Sequence, residues 1–188
     1  MINKLKRSRR AFSLVEILFA VIIIGVLTAV AIPSLFSQKG KADDSNAKQS
    51  IRTVQQLART GQDDNGLFPA NIATSLTSTE KDIVFTAGPS TSTGNVRTVS
   101  IVNITSGGTT NGVSIAVEGS KTDGTNNRCW FILIDGDGVQ PTTYGEAEVS
   151  KGGCKAGDYT TFAASSSTAV AGVSGLRVGD FPTPPAGS

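Results

Sequence analysis

Cys129 and Cys154, the acidic turn Asp135-Gly136-Asp137-Gly138, and Glu16 at the mouth of a long apolar run are the residues whose types and spacing invite chemistry. Two thiols are too few for a thiolate zinc site, and they do not form a C-x-x-C pair. In an exported chain they read as one disulfide. Asp135 and Asp137 are calcium candidates, because hard cations take closely spaced carboxylates and carbonyls. No glutamate stands where a loop of the EF-hand type needs one, and a turn after a strand explains Asp-Gly repeats equally well. Neither a metal nor a cofactor is assigned on this ground.

Histidine is absent from all 188 residues, which excludes Ser-His-Asp and Cys-His catalysis and every His-ligated metal. The sequence also shows no nucleophile with a base, no glycine-rich phosphate loop and no convincing pair of acids. The expectation is a protein that is not an enzyme. A membrane-anchored exported enzyme or binding protein is the weakest of the alternatives.

The elements that position these residues begin at the N-terminus. Lys4, Lys6, Arg7, Arg9 and Arg10 precede residue 12 with no acid among them. Without these five, 12 basic residues face 15 acidic ones, so the remainder carries about −3 although the whole chain carries +2. Overall basicity is therefore no argument for nucleic-acid binding, and none is expected. From Ile17 to Ile32 every residue is apolar, Gly or Ala except Thr28. Extended to Phe12 and Phe36, the run covers about 25 residues and about 37 Å as a helix, enough to cross a hydrocarbon core of about 30 Å. Basic residues on its N-terminal side keep that end in the cytoplasm and send the rest outside.

A secretory signal peptide cut after Ala29-Val30-Ala31 and an uncut membrane anchor compete for this segment. Glu16 at its entrance, its length, and Pro33 just beyond the cut speak against the signal peptide. The string Arg10-Ala11-Phe12-Ser13-Leu14-Val15-Glu16-Ile17-Leu18 resembles the signal of type IV pilins and related pseudopilins. The resemblance implies that a prepilin peptidase cuts between Ala11 and Phe12, that the new Phe12 amine is methylated, and that Glu16 is the carboxylate at the fifth mature position. Gly25 and Pro33 match residues that flank a loosened or kinked stretch of helix in assembled filaments of that family. The residue before the cut is Gly in most of the family; Ala11 is the next smallest side chain, so cleavage is expected to persist. In the family picture Glu16 meets the Phe12 amine of a neighbouring subunit. That pairing fixes axial register, and it supplies a reason for a carboxylate that costs about 2.5–3.5 kcal/mol deep in a bilayer.

Beyond Pro33 the pattern becomes amphipathic: Ala47, Ile51, Val54 and Ala58 recur at i, i+4, i+7 and i+11, and Gly61 ends the helix. Residues 62–80 read as a loop. Strands are expected at 82–87, 96–104, 113–118 and 129–134, with one more weak strand near Phe162 or Leu176. Short connections favour antiparallel pairing. The predicted fold is α+β and pilin-like: a long N-terminal helix, half transmembrane and half amphipathic, packed on an antiparallel sheet. The expected organisation is a cleaved basic leader over 1–11 and a helix over 12–61 whose part 12–36 serves membrane and assembly. A β-rich head over 62–158 follows, with its disulfide region at 129–154, and then a Ser/Thr/Gly/Pro-rich region over 159–188. Ser and Thr at 90–93 and 165–168 read as solvated loops, with O-linked sugar the less favoured reading.

The resemblance implies a subunit held in the cytoplasmic membrane by a single pass and then assembled with its own kind, or with related subunits, into a surface filament. Its partners would be the prepilin peptidase, the pilus assembly machinery and the membrane before assembly. Adhesion, motility and DNA uptake are all compatible with that reading. The alternative is a pseudopilin of a type II secretion or competence system. Many type IV pilins staple their C-terminal region with one disulfide and secretion pseudopilins usually do not, so Cys129 and Cys154 favour the pilin.

Overall fold

A computed structural model describes residues 12–91, 97–106, 109–122, 125–138, 142–160 and 174–178. Residues 1–11, including Ala11 and the expected leader, Ser92 and Thr93, Phe162, and the Ser/Thr cluster at 165–168 lie outside the described residues. The chain divides into two compact units, Met1–Lys39 and Gly40–Ser188.

The first unit holds the start of helix α1 (Leu14–Thr60). Ser13 opens it, its carbonyl accepting from the amides of Glu16 and Ile17 at 3.0 and 3.2 Å. Residues 14–31 are exposed throughout. Their β-branched side chains are middling helix formers in water, but in lipid a helix is the one single-segment arrangement that satisfies every backbone group. Thr28, the polar exception, turns its hydroxyl inward to the carbonyls of Ile24 and Gly25 at 2.9 and 3.0 Å. It therefore asks nothing of its surroundings.

The second unit is a helix-on-sheet head. Its elements are the remainder of α1, α2 (Ile72–Thr79), β1 (Ile83–Thr86), β2 (Arg97–Ser106), β3 (Thr109–Lys121), β4 (Asn126–Asp135), β5 (Thr143–Ser150), a 3-10 turn (Ala156–Asp158) and β6 (Ser174–Val178). The six strands lie in chain order across one sheet. Ala47, Ile51, Val54 and Ala58 are wholly buried, as their helical spacing requires. They meet Val99, Ile101, Val113, Ile115, Val117, Trp130, Ile132 and Ile134, the alternate residues of β2, β3 and β4. The opposite face holds a second cluster, Ala116, Cys129, Phe131, Leu133 and Ala147, capped by Cys154, Ala156 and Tyr159. Both faces of the central strands are covered, which explains the nearly unbroken apolar run in β4.

The structure corrects the sequence reading in three places. First, the sheet is mixed: β1 pairs parallel with β2, while all other neighbours are antiparallel. Ten positions separate β1 from β2, room for the chain to return before pairing rather than turn in a hairpin. Second, the expected loop over 62–80 contains α2. Its Ser/Thr-rich sequence has little helical preference of its own. Ile72 and Leu76, one turn apart, dock in the core, and Asn103 secures the entry by accepting from the Ile72 amide at 3.3 Å and donating to the Pro69 carbonyl at 2.8 Å. Third, β5 was missed, since Gly145, Glu146 and Glu148 break the expected strand composition.

Gly145 is where it is because of β4. A Cβ there would stand 2.2 Å from Cζ of Phe131, whose ring stacks on Tyr159 with centroids 4.1 Å apart and planes 1° from parallel. Burial, reinforced by the neighbouring Asp158 carboxylate, pushes the Tyr159 hydroxyl up to about 12. An unfolded tyrosine ionises near 10, so the native state holds this proton more tightly. The resulting stabilisation is complete below about pH 10 and is lost as the pH rises through about 12. Ultraviolet absorbance should accordingly show one of the two tyrosines ionising near pH 12, with the unfolding midpoint falling over the same interval.

Candidate functional site

The first unit presents a surface that water does not favour. Phe12, Leu14, Val15, Ile17, Leu18, Phe19 and the apolar residues on to Val30 are all more than half exposed. Soluble proteins rarely leave so continuous an apolar area uncovered. Leu14–Ala31 is long and apolar enough to cross a membrane. Glu16 lies in the first turn of α1, where a negative charge is favoured by the amides of the helix start. Among the described residues no cation meets its carboxylate. Phe12 stands ahead of the helix, four positions before Glu16. Gly25 lies within α1 and a Cβ there would touch nothing, so its place is not a demand of packing inside the unit. Position 33 is helical as well.

A family model described as the prokaryotic N-terminal methylation motif matches residues 6–32. The chain carries a prepilin-type methylation motif. Phe12, Glu16 and Gly25 all fall inside it, and Pro33 comes one residue after it. Similarity to curated proteins covers about a third of the chain. The chain is 32% identical over 65 residues to a type II secretion system core protein G of Dickeya chrysanthemi, covering 35% of this chain and 42% of that protein. The protein of the same name from Vibrio cholerae is 30% identical over 66 residues, covering 35% and 45%. That from Escherichia coli is 34% identical over 61 residues, covering 32% and 42%. The chain thus spans less than half the length of the curated relatives it matches. No solved structure matches it.

In the head, Cys129 and Cys154 form a disulfide with Cα atoms 5.3 Å apart, both wholly buried. The segment it fastens is also held by polar contacts. Ser90 donates its amide to the Cys154 carbonyl at 2.8 Å, the Ala156 amide donates to Ser100 Oγ at 2.9 Å, and Ser114 Oγ donates to the Ala156 carbonyl at 2.8 Å. Ser90 is buried, so this residue, expected in a solvated loop, is structural instead. Asp135 is buried at the end of β4, and Asp137 follows in the bend. Among the described residues no group of three or more His, Cys, Asp or Glu side chains comes together.

Sequence reasoning missed the residue that ties the helix to the sheet, Asp44. Its carboxylate accepts from the Ser120 amide at 2.8 Å, from Trp130 Nε1 at 3.1 Å and from Arg128 Nη1 at 3.1 Å. Gly119 makes this approach possible, since a Cβ there would lie 2.6 Å from Asp44 Oδ1 and 2.9 Å from the indole. On the next turn Lys48 places its ammonium 4.0 Å from the centre of the Trp130 ring. Burial draws the Lys48 ammonium below the usual lysine range, an effect that Asp44 and Glu146 oppose. One signal was available: Asp44 and Lys48 flank the apolar stripe one turn apart, on its sheet-facing border.

Proposed function

We propose that this chain is a structural subunit of a type IV pilus-like extracellular filament. The observation that carries the reading is the wholly exposed apolar segment Leu14–Ala31, with Glu16 in its first turn, inside the prepilin-type methylation motif. Prepilin peptidase cuts before Phe12, and the membrane holds the segment until the assembly machinery draws it out. The same apolar surface then packs against other subunits, at about 25 cal/mol per Å2 removed from lipid or water. Within the packed core Glu16 pairs with the methylated amine of Phe12 from a neighbour. Gly25 and Pro33 allow the helix to loosen between them as it packs. The head faces outward at the cell surface, stapled by Cys129–Cys154, and is suited to adhesion, motility or DNA uptake rather than to catalysis.

A second reading, the pseudopilin of a type II secretion system, is supported by the names of the relatives that match about a third of the chain. The disulfide favours the pilus. Deleting the prepilin peptidase from the native host should leave the chain at precursor mass in the membrane and remove it from the sheared surface fraction. Filaments that persist without the peptidase would contradict both readings. Among cells with the peptidase, long surface filaments containing the chain support the pilus, whereas its confinement to the envelope supports the pseudopilin.

A further inference from the structure

Glu118 is a buried carboxylate that filament assembly does not use. It is 4% exposed. Its Oε1 accepts from Asn127 Nδ2, while Oε2 is buried without a hydrogen-bond partner. An acceptor left so is costly and calls for a physical reason. Its surroundings supply one. The β3–β4 register sets Glu118 directly opposite Cys129, and directly paired residues share a face with Cβ atoms about 4.5–5.5 Å apart. Cys154 is tied in from the other side: the Glu118 amide donates to Ser90 Oγ at 3.1 Å, and the Ser90 amide donates to the Cys154 carbonyl. Asn127, two residues before Cys129, occupies Oε1, so Oε2 is the vacant acceptor on the face that carries both sulfurs.

We propose that Glu118 is the proton acceptor for closure of the Cys129–Cys154 disulfide. Before the Cys154 segment docks on the sheet, an external disulfide reacts with the Cys154 thiol, forming a mixed disulfide and releasing one external thiol. Glu118 Oε2 then takes the proton from Cys129, and the thiolate attacks Cys154 Sγ. The protein disulfide forms, and the second external thiolate leaves and is protonated by solvent or by Glu118. Two protein thiols are oxidised and one external disulfide is reduced to two thiols. Ionising Cys129 next to a standing carboxylate would place two negative charges on an apolar face, and burial alone already opposes a thiolate there. Moving the proton to Oε2 keeps the charge at one. Among the described residues, Asn127 and Cys129 on β4, Ala147 on β5, and Ser90, Cys154 and Tyr159 on the flanking segments share this face; Tyr159, pushed up to about 12, keeps its proton over the range in which thiols ionise, so apart from the two thiols Glu118 is the one carboxylate there. Lys121, Glu148, Lys151 and Lys155 on the same elements are exposed.

The test is the rate at which the reduced, full-length chain closes in detergent with saturating oxidised glutathione, from about pH 5.5 to 9, read by thiol alkylation and mass. A positioned base contributes about 10^2–10^4 in rate, most where hydroxide is scarce. Glu118→Gln should therefore close at least about tenfold more slowly than wild type near pH 6, with the gap narrowing toward pH 9. Ser90→Ala, which keeps the carboxylate, should retain the wild-type pH dependence. A Gln variant that closes as fast as wild type at every pH, or faster, overturns the proposal, because the carboxylate then merely repels the thiolate. If the reduced Gln variant loses its fold by circular dichroism, the wild-type profile decides. A rate changing less than about threefold between pH 6 and 8 supports the assignment, and a rise of about tenfold per unit overturns it.

Discussion

Asp44→Ala is expected to lower the unfolding free energy of the head by about 3 kcal/mol, because it leaves the Ser120 amide and the Trp130 indole without their acceptor. Each such loss costs about 1–3 kcal/mol, and the 15% exposure of the Asp44 side chain lets water recover part of it. The Arg128 pair adds little, since Arg128 is 39% exposed and pairs of that kind are worth about 0–1 kcal/mol. Asp44→Asn separates the two contributions. Its amide oxygen still accepts from both donors while the charge is gone, so the expected loss is about 1 kcal/mol. Trp130 is the single tryptophan of the chain, which makes its fluorescence a direct reporter in denaturant titrations of the full chain in detergent. A loss below about 1 kcal/mol for Asp44→Ala would show that Asp44 adds little to holding the helix on the sheet.

Glu16→Ala is expected to leave cleavage before Phe12 intact and to reduce the sheared filament fraction at least tenfold. In the proposed function the peptidase acts at the Ala11–Phe12 bond, whereas Glu16 has its role only when a second subunit brings an amine to it. Removing one member of a buried ion pair costs about 3–5 kcal/mol because the other charge is left unpaired. At each subunit contact that exceeds a hundredfold in the association constant, about 1.4 kcal/mol being tenfold. Western analysis of the sheared fraction, alongside the mass of the membrane-held chain, separates assembly from processing. Normal filaments from Glu16→Ala would remove the pairing with the Phe12 amine from the account.

Much of this was legible because strong periodicity leaves few options. The uniform apolar run of α1, its change to an i, i+4, i+7 stripe at Ala47–Ala58, and the apolar strand at Cys129–Ile134 each fix an element without help from the rest of the chain. The prepilin-type motif was legible for a different reason: Phe12, Glu16, Gly25 and Pro33 form a spacing that packing alone does not require. Long-range bonding hid the rest. α2 exists because Asn103, about thirty residues on, caps its entry. β5 exists because β4 pairs along its whole length, and Gly145 in it answers to Phe131. Asp44 looked like a surface acid on a helix; its three partners lie 76 to 86 residues away in sequence, where no local pattern reaches.

The N-terminal residue of the mature chain, read by mass spectrometry of the protein from its native host, decides whether the chain is a processed filament subunit. A chain beginning at Phe12 with a methylated amine is expected. A chain beginning at Ile32, or one retaining Met1, would contradict that reading.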